Sequence, residues 1–117
     1  MTDKIYSFLG LAKKAGKLVT GDETCERALK GSSVSLVIVA DDASHNTKKK
    51  FIDACDFRNT KIRIFGKKDM LGKFTGKNIR SVVAILDKNF SKRLMEMIDL
   101  SVNNGCGGEN IDKNESI

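Results

Sequence analysis

The sequence predicts an α/β protein, a three-layer α/β/α sandwich around a mixed four-stranded sheet. Three observations carry that expectation. Residues 35–40 and 81–86 are short, nearly unbroken apolar runs, as strands buried on both faces are. Segments with apolar residues at helical spacing alternate with strand-like segments, and such alternation brings helices to both faces of a sheet. The length of 117 residues suits one compact domain and not two.

Each element has its own signal. In residues 3–15, Ile5, Phe8, Leu9 and Ala12 fall on one helical face, Lys13 and Lys14 close the last turn, and Gly16 stops the helix. Residues 17–19 are long enough only for a short strand. Thr20-Gly21-Asp22-Glu23 reads as a capping box opening a second helix, with Cys25, Ala28 and Leu29 facing in and Gly31 ending it. After the strand at 35–40, Ser44 is the expected N-cap of a third helix that buries Phe51, Ile52 and Cys55. Residues 61–65 alternate as a strand with Ile62 and Ile64 on one side, and a short helix over 67–74 turns Met70, Leu71 and Phe74 inward. Gly76 begins a loop into the strand at 81–86, and a last helix over 88–100 carries Phe90, Leu94, Met97 and Ile98 on its core face. Residues 1–100 are thus read as the folded domain. Residues 101–117 turn to Asn, Gly, Glu and Ser, and the composition predicts a disordered acidic tail.

Composition excludes several classes. No apolar stretch approaches the roughly 20 residues of a membrane span. The first residues show no h-region or small-residue cleavage site, so a cytoplasmic protein is expected. Three cysteines, Cys25, Cys55 and Cys106, lack Cys-x-x-Cys spacing and predict reduced thiols, with Cys25 and Cys55 as small core residues. Phosphate-binding glycine loops are missing after the strands, and no cofactor or metal is expected. His45, the one histidine, reads as a solvated residue in the first turn of the third helix. Asp41-Asp42 follows a strand, where a phosphoryl receiver could hold Mg²⁺. Yet Gly66-Lys67-Lys68 stands where an acceptor aspartate would be needed. The acidic pair therefore reads as a turn before a helix. No catalytic constellation emerges, so the chain is read as a non-enzyme.

Charge is the first functional clue. Residues 1–93 carry 20 Lys and Arg against 10 Asp and Glu, while residues 94–117 carry one lysine against five acids. A domain this basic is most simply a binder of polyanions, because phosphate contacts release counterions. Three regions are expected to cooperate on RNA. Lys13, Lys14 and Lys17 flank a glycine and are expected beside the start of the second helix. That start, with Thr20, Gly21, Glu23, Thr24 and Arg27, offers free amides, close backbone approach and side chains at i, i+4 spacing. The loop ending Asn78-Ile79-Arg80-Ser81 combines cations with one exposed-looking apolar residue suited to an unstacked base. The phenylalanines sit at core spacings, so readout of shape and base edges is expected over aromatic stacking.

The order of these motifs resembles a known family. Leu9-Gly10-Leu11-Ala12-Lys13-Lys14-Ala15-Gly16-Lys17-Leu18-Val19-Thr20-Gly21 resembles the opening of the ribosomal protein L7Ae/L30e superfamily. Leu36 to Ser44 followed by Asn46-Thr47-Lys48-Lys49-Lys50 is similar to its small bacterial YlxQ-type branch, and Leu71-Gly72-Lys73 through Gly76 with Val82-Val83-Ala84-Ile85 matches its last loop and strand. The resemblance spans roughly residues 3–99. It implies a monomeric, ribosomal-protein-like binder of kink-turn RNA, where tandem sheared G·A pairs adjoin a sharp bend, on ribosomal or messenger RNA. The family's Gly-x-Asn-Glu-x-x-Lys stretch enters the groove at those pairs. Gly21 matches its glycine, Glu23 falls at the asparagine, Thr24 at the glutamate and Arg27 at the lysine. Glu23 departs from the pattern. Its carboxylate can accept a guanine N–H or serve as the capping-box partner of Thr20, but cannot donate. Ile79-Arg80-Ser81 matches the segment that packs on an extruded nucleotide. Two rival readings are a ribosome-associated interaction module that touches RNA incidentally and a detached RNA-recognition domain of a modifying enzyme.

Overall fold

The computed structural model describes residues 2–104. Helix α1 (Thr2–Lys14) leads to β1 (Leu18–Thr20), α2 (Asp22–Lys30), β2 (Leu36–Val39) and α3 (His45–Arg58). Then follow β3 (Lys61–Ile64), α4 (Lys68–Phe74), β4 (Val82–Ile85) and α5 (Lys88–Asn104). The strands form one mixed sheet in the order β1-β4-β2-β3. Strands β2 and β3 are parallel, whereas β4 runs antiparallel to both β1 and β2. Helices α2 and α3 pack together over one face, and on the other α1 packs against both α4 and α5.

The two central strands are buried along their whole length, which is why both read as unbroken apolar runs: each meets helices on two faces. Edge strand β3 is only half-buried, and its sequence accordingly alternates. Beneath the sheet's outer end, Tyr6 lies between Phe65 and Phe74, with ring centroids 5.4 Å from each. Its phenol oxygen accepts from the Lys67 backbone N–H at 3.0 Å, so this buried hydroxyl has a partner.

Four sequence expectations need correction. Ile52 is 42% exposed: Phe51 and Cys55, four residues apart, take the inward stripe of α3, and Ile52 falls one step off it. Phe57 is 82% exposed and is not a core phenylalanine. Helix α5 runs past residue 100 to Asn104, taking the first residues assigned to the tail. The rest of that tail, with Cys106, lies outside the described residues. Finally, no capping box forms. Gly21, at φ 99°, is the N-cap of α2 without any side-chain cap, and Thr20 is still paired in β1 with Val83. The cap position falls at Gly21, one residue later than the box requires, and the Thr20 hydroxyl oxygen accepts from Arg80 Nε at 3.2 Å instead.

Cys25 and Cys55 are buried and free, and burial pushes both thiols up to about 12, with Asp22 adding a smaller push on Cys25. In the unfolded chain they would ionise near 8.5. Above that pH the unfolded state has lost protons that the native state keeps, so stability falls as pH rises from about 9 toward 12. In a Cys106→Ser variant at pH 8, an aromatic disulfide reagent is expected to label no thiol quickly in native buffer. Both should react at the denaturant midpoint of unfolding, and rapid native labelling would contradict their burial.

Candidate nucleic-acid interface

Sheet topology gathers one set of loops at a single end. Strands β1, β2 and β3 finish there and β4 begins there, as the pairings Thr20 with Val83 and Val39 with both Val82 and Ile64 require. Backbone bonds knit these loops together. The N–H of Gly21 donates to Val82 O (3.1 Å), Ala40 to Ser81 O (2.8 Å), Asp41 to Gly66 O (2.7 Å) and Arg80 to Lys68 O (3.1 Å).

The outward face of α2 follows from its helical period. Cys25 and Leu29 point into the core. Asp22 and Glu26 turn toward α3, where Lys50 Nζ lies 3.6 and 3.7 Å from their carboxylates. Glu23 and Arg27, one turn apart, are left exposed, and Thr24 is half-buried. Neither Glu23 nor Arg27 enters an ion pair among the described residues. The first turn of α2, lacking a side-chain cap, leaves backbone N–H groups free for an anion or a base edge.

Loop 76–81 is built from α4. Gly76 takes φ 78°, a left-handed value that costs glycine little. The Lys77 N–H returns to Gly72 O at 2.8 Å, and the buried Thr75 hydroxyl donates to Leu71 O at 2.8 Å. Gly72 itself lies against the Asn78 and Ile79 backbone. This brace leaves Lys77 and Asn78 exposed and Ile79 58% exposed, a poor place for an isoleucine unless something covers it.

Arg80 joins the two regions. Its Nε donates to Thr20 Oγ1 at 3.2 Å and its Nη1 to Ile79 O at 2.8 Å. A Cβ at Gly21 would lie 4.0 Å from Arg80 Nε. Thr20, Gly21, Glu23, Thr24 and Arg27 are thereby brought beside Asn78, Ile79, Arg80 and Ser81.

Lys13, Lys14 and Lys17 are not part of this cluster, contrary to the expectation that they lie beside the start of α2. The Leu86 N–H donates to Lys17 O at 2.8 Å, which sets Lys17 at the far end of β1, where β4 finishes. Four extended residues, about 13 Å, separate it from Gly21. Two lysines that sequence reasoning passed over do sit at the loop end. Lys67 Nζ is 3.3 Å from Asp41 Oδ2, and the Lys68 N–H donates to Asp42 Oδ1 at 2.9 Å. Their signal was available: Gly66-Lys67-Lys68 follows a strand parallel to β2 and must emerge at the same end. These bonds also build the acidic pair into its turn. Ser44 then caps α3 by accepting from the Thr47 N–H at 3.1 Å. Among the described residues no group of three His, Cys, Asp or Glu side chains could hold a metal ion. No helix among them is long and apolar enough to cross a membrane.

Residues 3–95 match the Ribosomal protein L7Ae/L30e/S12e/Gadd45 family, and the chain belongs to that family. Within it, two relatives called RNA-binding protein YlxQ are similar over most of the chain. The one from Bacillus subtilis (strain 168) is 33% identical over 94 residues, covering 80% of this chain and 94% of the relative. The one from Enterococcus faecium is 34% identical over 96 residues, covering 82% and 92%. A solved structure from Bacillus halodurans, of a protein with unknown function, is 40% identical with a TM-score of 0.79, over 82% of this chain and 97% of that one. The Giardia lamblia 15.5kD RNA binding protein shares the fold at 16% identity and a TM-score of 0.70, over 81% and 84% of the two chains.

Proposed function

We propose that this protein binds structured RNA containing a kink-turn or a similar bend and stabilises the bent form, without catalysing a reaction. The observation that carries the reading is the Arg80–Thr20 link, which sets exposed Ile79 beside the uncapped start of α2 and its outward Glu23 and Arg27. Relatives named as RNA-binding proteins support the ligand class.

The chemistry divides among the residues. Arg27 donates bidentately to guanine O6 and N7. Glu23, which has no capping duty, accepts a guanine N–H. Thr24 and the Gly21 backbone approach the G·A pairs, with Asn78 and Ser81 polar groups at the rim. Ile79 covers an extruded base while Arg80 holds the loop and faces phosphate. Binding the bent state more tightly than the extended one shifts the RNA's equilibrium by that difference.

The test is a titration with a short kink-turn RNA and with the same RNA after its G·A pairs are replaced, at two salt concentrations. Bending is followed by fluorescence transfer. The intact RNA is expected to bind better at the higher salt and to bend on binding. Arg27→Ala should cut that preference roughly 5- to 150-fold, the range of about 1–3 kcal/mol for a bidentate base contact. Equal losses on both RNAs would reduce Arg27 to an electrostatic contact. Equal binding that collapses with salt would favour the interaction-module reading.

A further inference from the structure

The end of the sheet opposite the α2 interface is basic as well. Lys13 and Lys14 end α1, Lys30 ends α2 and Arg58 ends α3. Lys17 precedes β1, Lys61 begins β3 and Lys88 begins α5. All seven cations converge there because β1, β2 and β3 start, and β4 stops, at that end. Six are exposed and Lys13 is half-buried. Among the described residues none of the seven enters an ion pair, while Lys50 and Lys67 toward the other end do. The acids nearby are Asp56 in the last turn of α3, Asp87, whose carboxylate is occupied by the Phe90 N–H at 2.9 Å, and Glu26 and Asp53, which line the groove beside Phe57 and are paired with Lys50 and Lys49.

Helix dipoles account for part of this. Cations in a last turn meet the negative end of the helix, which covers Lys13, Lys14, Lys30 and Arg58. It does not cover Lys17 or Lys61, which lie outside helices. It opposes Lys88, which stands at the positive end of α5, a helix with no acid in its first turn. These lysines therefore do nothing evident for the fold. Phe57 lies at the same end, 82% exposed, with the Arg58 guanidinium 5.7 Å from its ring centroid. An exposed aromatic beside unpaired cations is the pairing that stacks a base and holds its phosphates.

We infer that this end is a second RNA-binding surface, which takes a single-stranded segment by stacking a base on Phe57 and spreading its phosphates over Lys17, Lys30, Arg58, Lys61 and Lys88. Its ligand class rests on the function proposed above, but its residues are separate from that site. The described residues span 34 × 29 × 27 Å, so an RNA bent around α2 leaves this end open. The protein then joins a kinked element to a second, unpaired stretch of RNA.

Fluorescent dodecauridine is titrated into the full chain alone and into the chain saturated with unlabelled short kink-turn RNA. Binding is expected in both cases. Lys61→Glu with Lys88→Glu should weaken dodecauridine at least tenfold and flatten its log–log salt dependence by about 0.7 per lost phosphate contact. Kink-turn affinity should stay within twofold. Phe57→Ala should weaken dodecauridine at least fivefold with the salt slope unchanged. Stoichiometric displacement of dodecauridine by kink-turn RNA would overturn the inference, because there would be one site. So would a parallel loss of both RNAs in the lysine variant, or equally tight binding of a polyglutamate of the same length. Should kink-turn RNA not bind at all, the proposed function fails, and the dodecauridine titrations of the chain alone still decide this surface.

Discussion

Gly72→Ala is expected to destabilise the domain by about 3 kcal/mol, the upper part of the usual overpacking range, and to weaken RNA binding by displacing loop 76–81 in the molecules that still fold. A Cβ at Gly72 would collide with the Asn78 carbonyl and lie 2.9 Å from Ile79 N. Both obstacles are backbone, so no rotamer change relieves them. Helix α4 and loop 76–81 must part, and the loop carries Ile79 and, through Arg80, the contact with Thr20. Urea melts should show a lower midpoint with an unchanged slope. Kink-turn RNA affinity, measured well below the midpoint, should fall at least tenfold. A variant that loses stability and keeps full affinity would show that the loop's position is not what the RNA reads.

Phe51→Ala is expected to cost about 3–5 kcal/mol, the usual range for deleting a buried phenyl group. Phe51 has no exposed surface and is among the largest fully buried side chains. It pins α3 to the core. The neighbouring Lys50 reaches from α3 to Asp22 and Glu26 of α2, an ion-pair link that the substitution leaves in place. Domains of this size hold about 5–15 kcal/mol in all, so the variant should melt roughly 12–40 °C lower. Below its midpoint it should keep most RNA affinity, since no proposed contact is removed. A loss under about 1 kcal/mol would mean that the core closes over the vacated space.

These two predictions divide the molecule as the sequence does. Phe51 was legible as core because it lies four residues from Cys55 on one helical stripe, and Leu36 to Val39 because both faces of that strand are covered. Ile52 and Phe57 were misplaced by the same reasoning. An apolar residue one step off the stripe keeps its hydrophobicity and loses its burial, and composition cannot register that difference. The role of Gly72 was invisible for another reason. Its lack of a Cβ matters only against Asn78, six residues on, and no periodicity reports that approach.

Of the three basic regions, two were correctly joined and one was not. Arg27 and Glu23 share a helix face by i, i+4 spacing alone. Arg80 reaches Thr20 across 60 residues, which the motif order suggested only through a resemblance. Lys13, Lys14 and Lys17 precede Gly21 so closely that chain proximity placed them beside it. A strand of three residues carries them to the opposite end, and only strand direction reveals this.

Local rules of spacing, propensity and charge thus determined the nine elements, the two-sided burial of β2 and β4, the outward face of α2 and the basic character of the domain. Each is a property of residues within a turn or two of one another, so it is written in the chain in order. The sheet order β1-β4-β2-β3, the absence of a cap at Thr20, the brace beneath loop 76–81 and the sorting of cations to two ends were settled by packing. They depend on which strand pairs with which and in what direction. Those choices come from burying all the apolar faces at once, and no local window of sequence contains them.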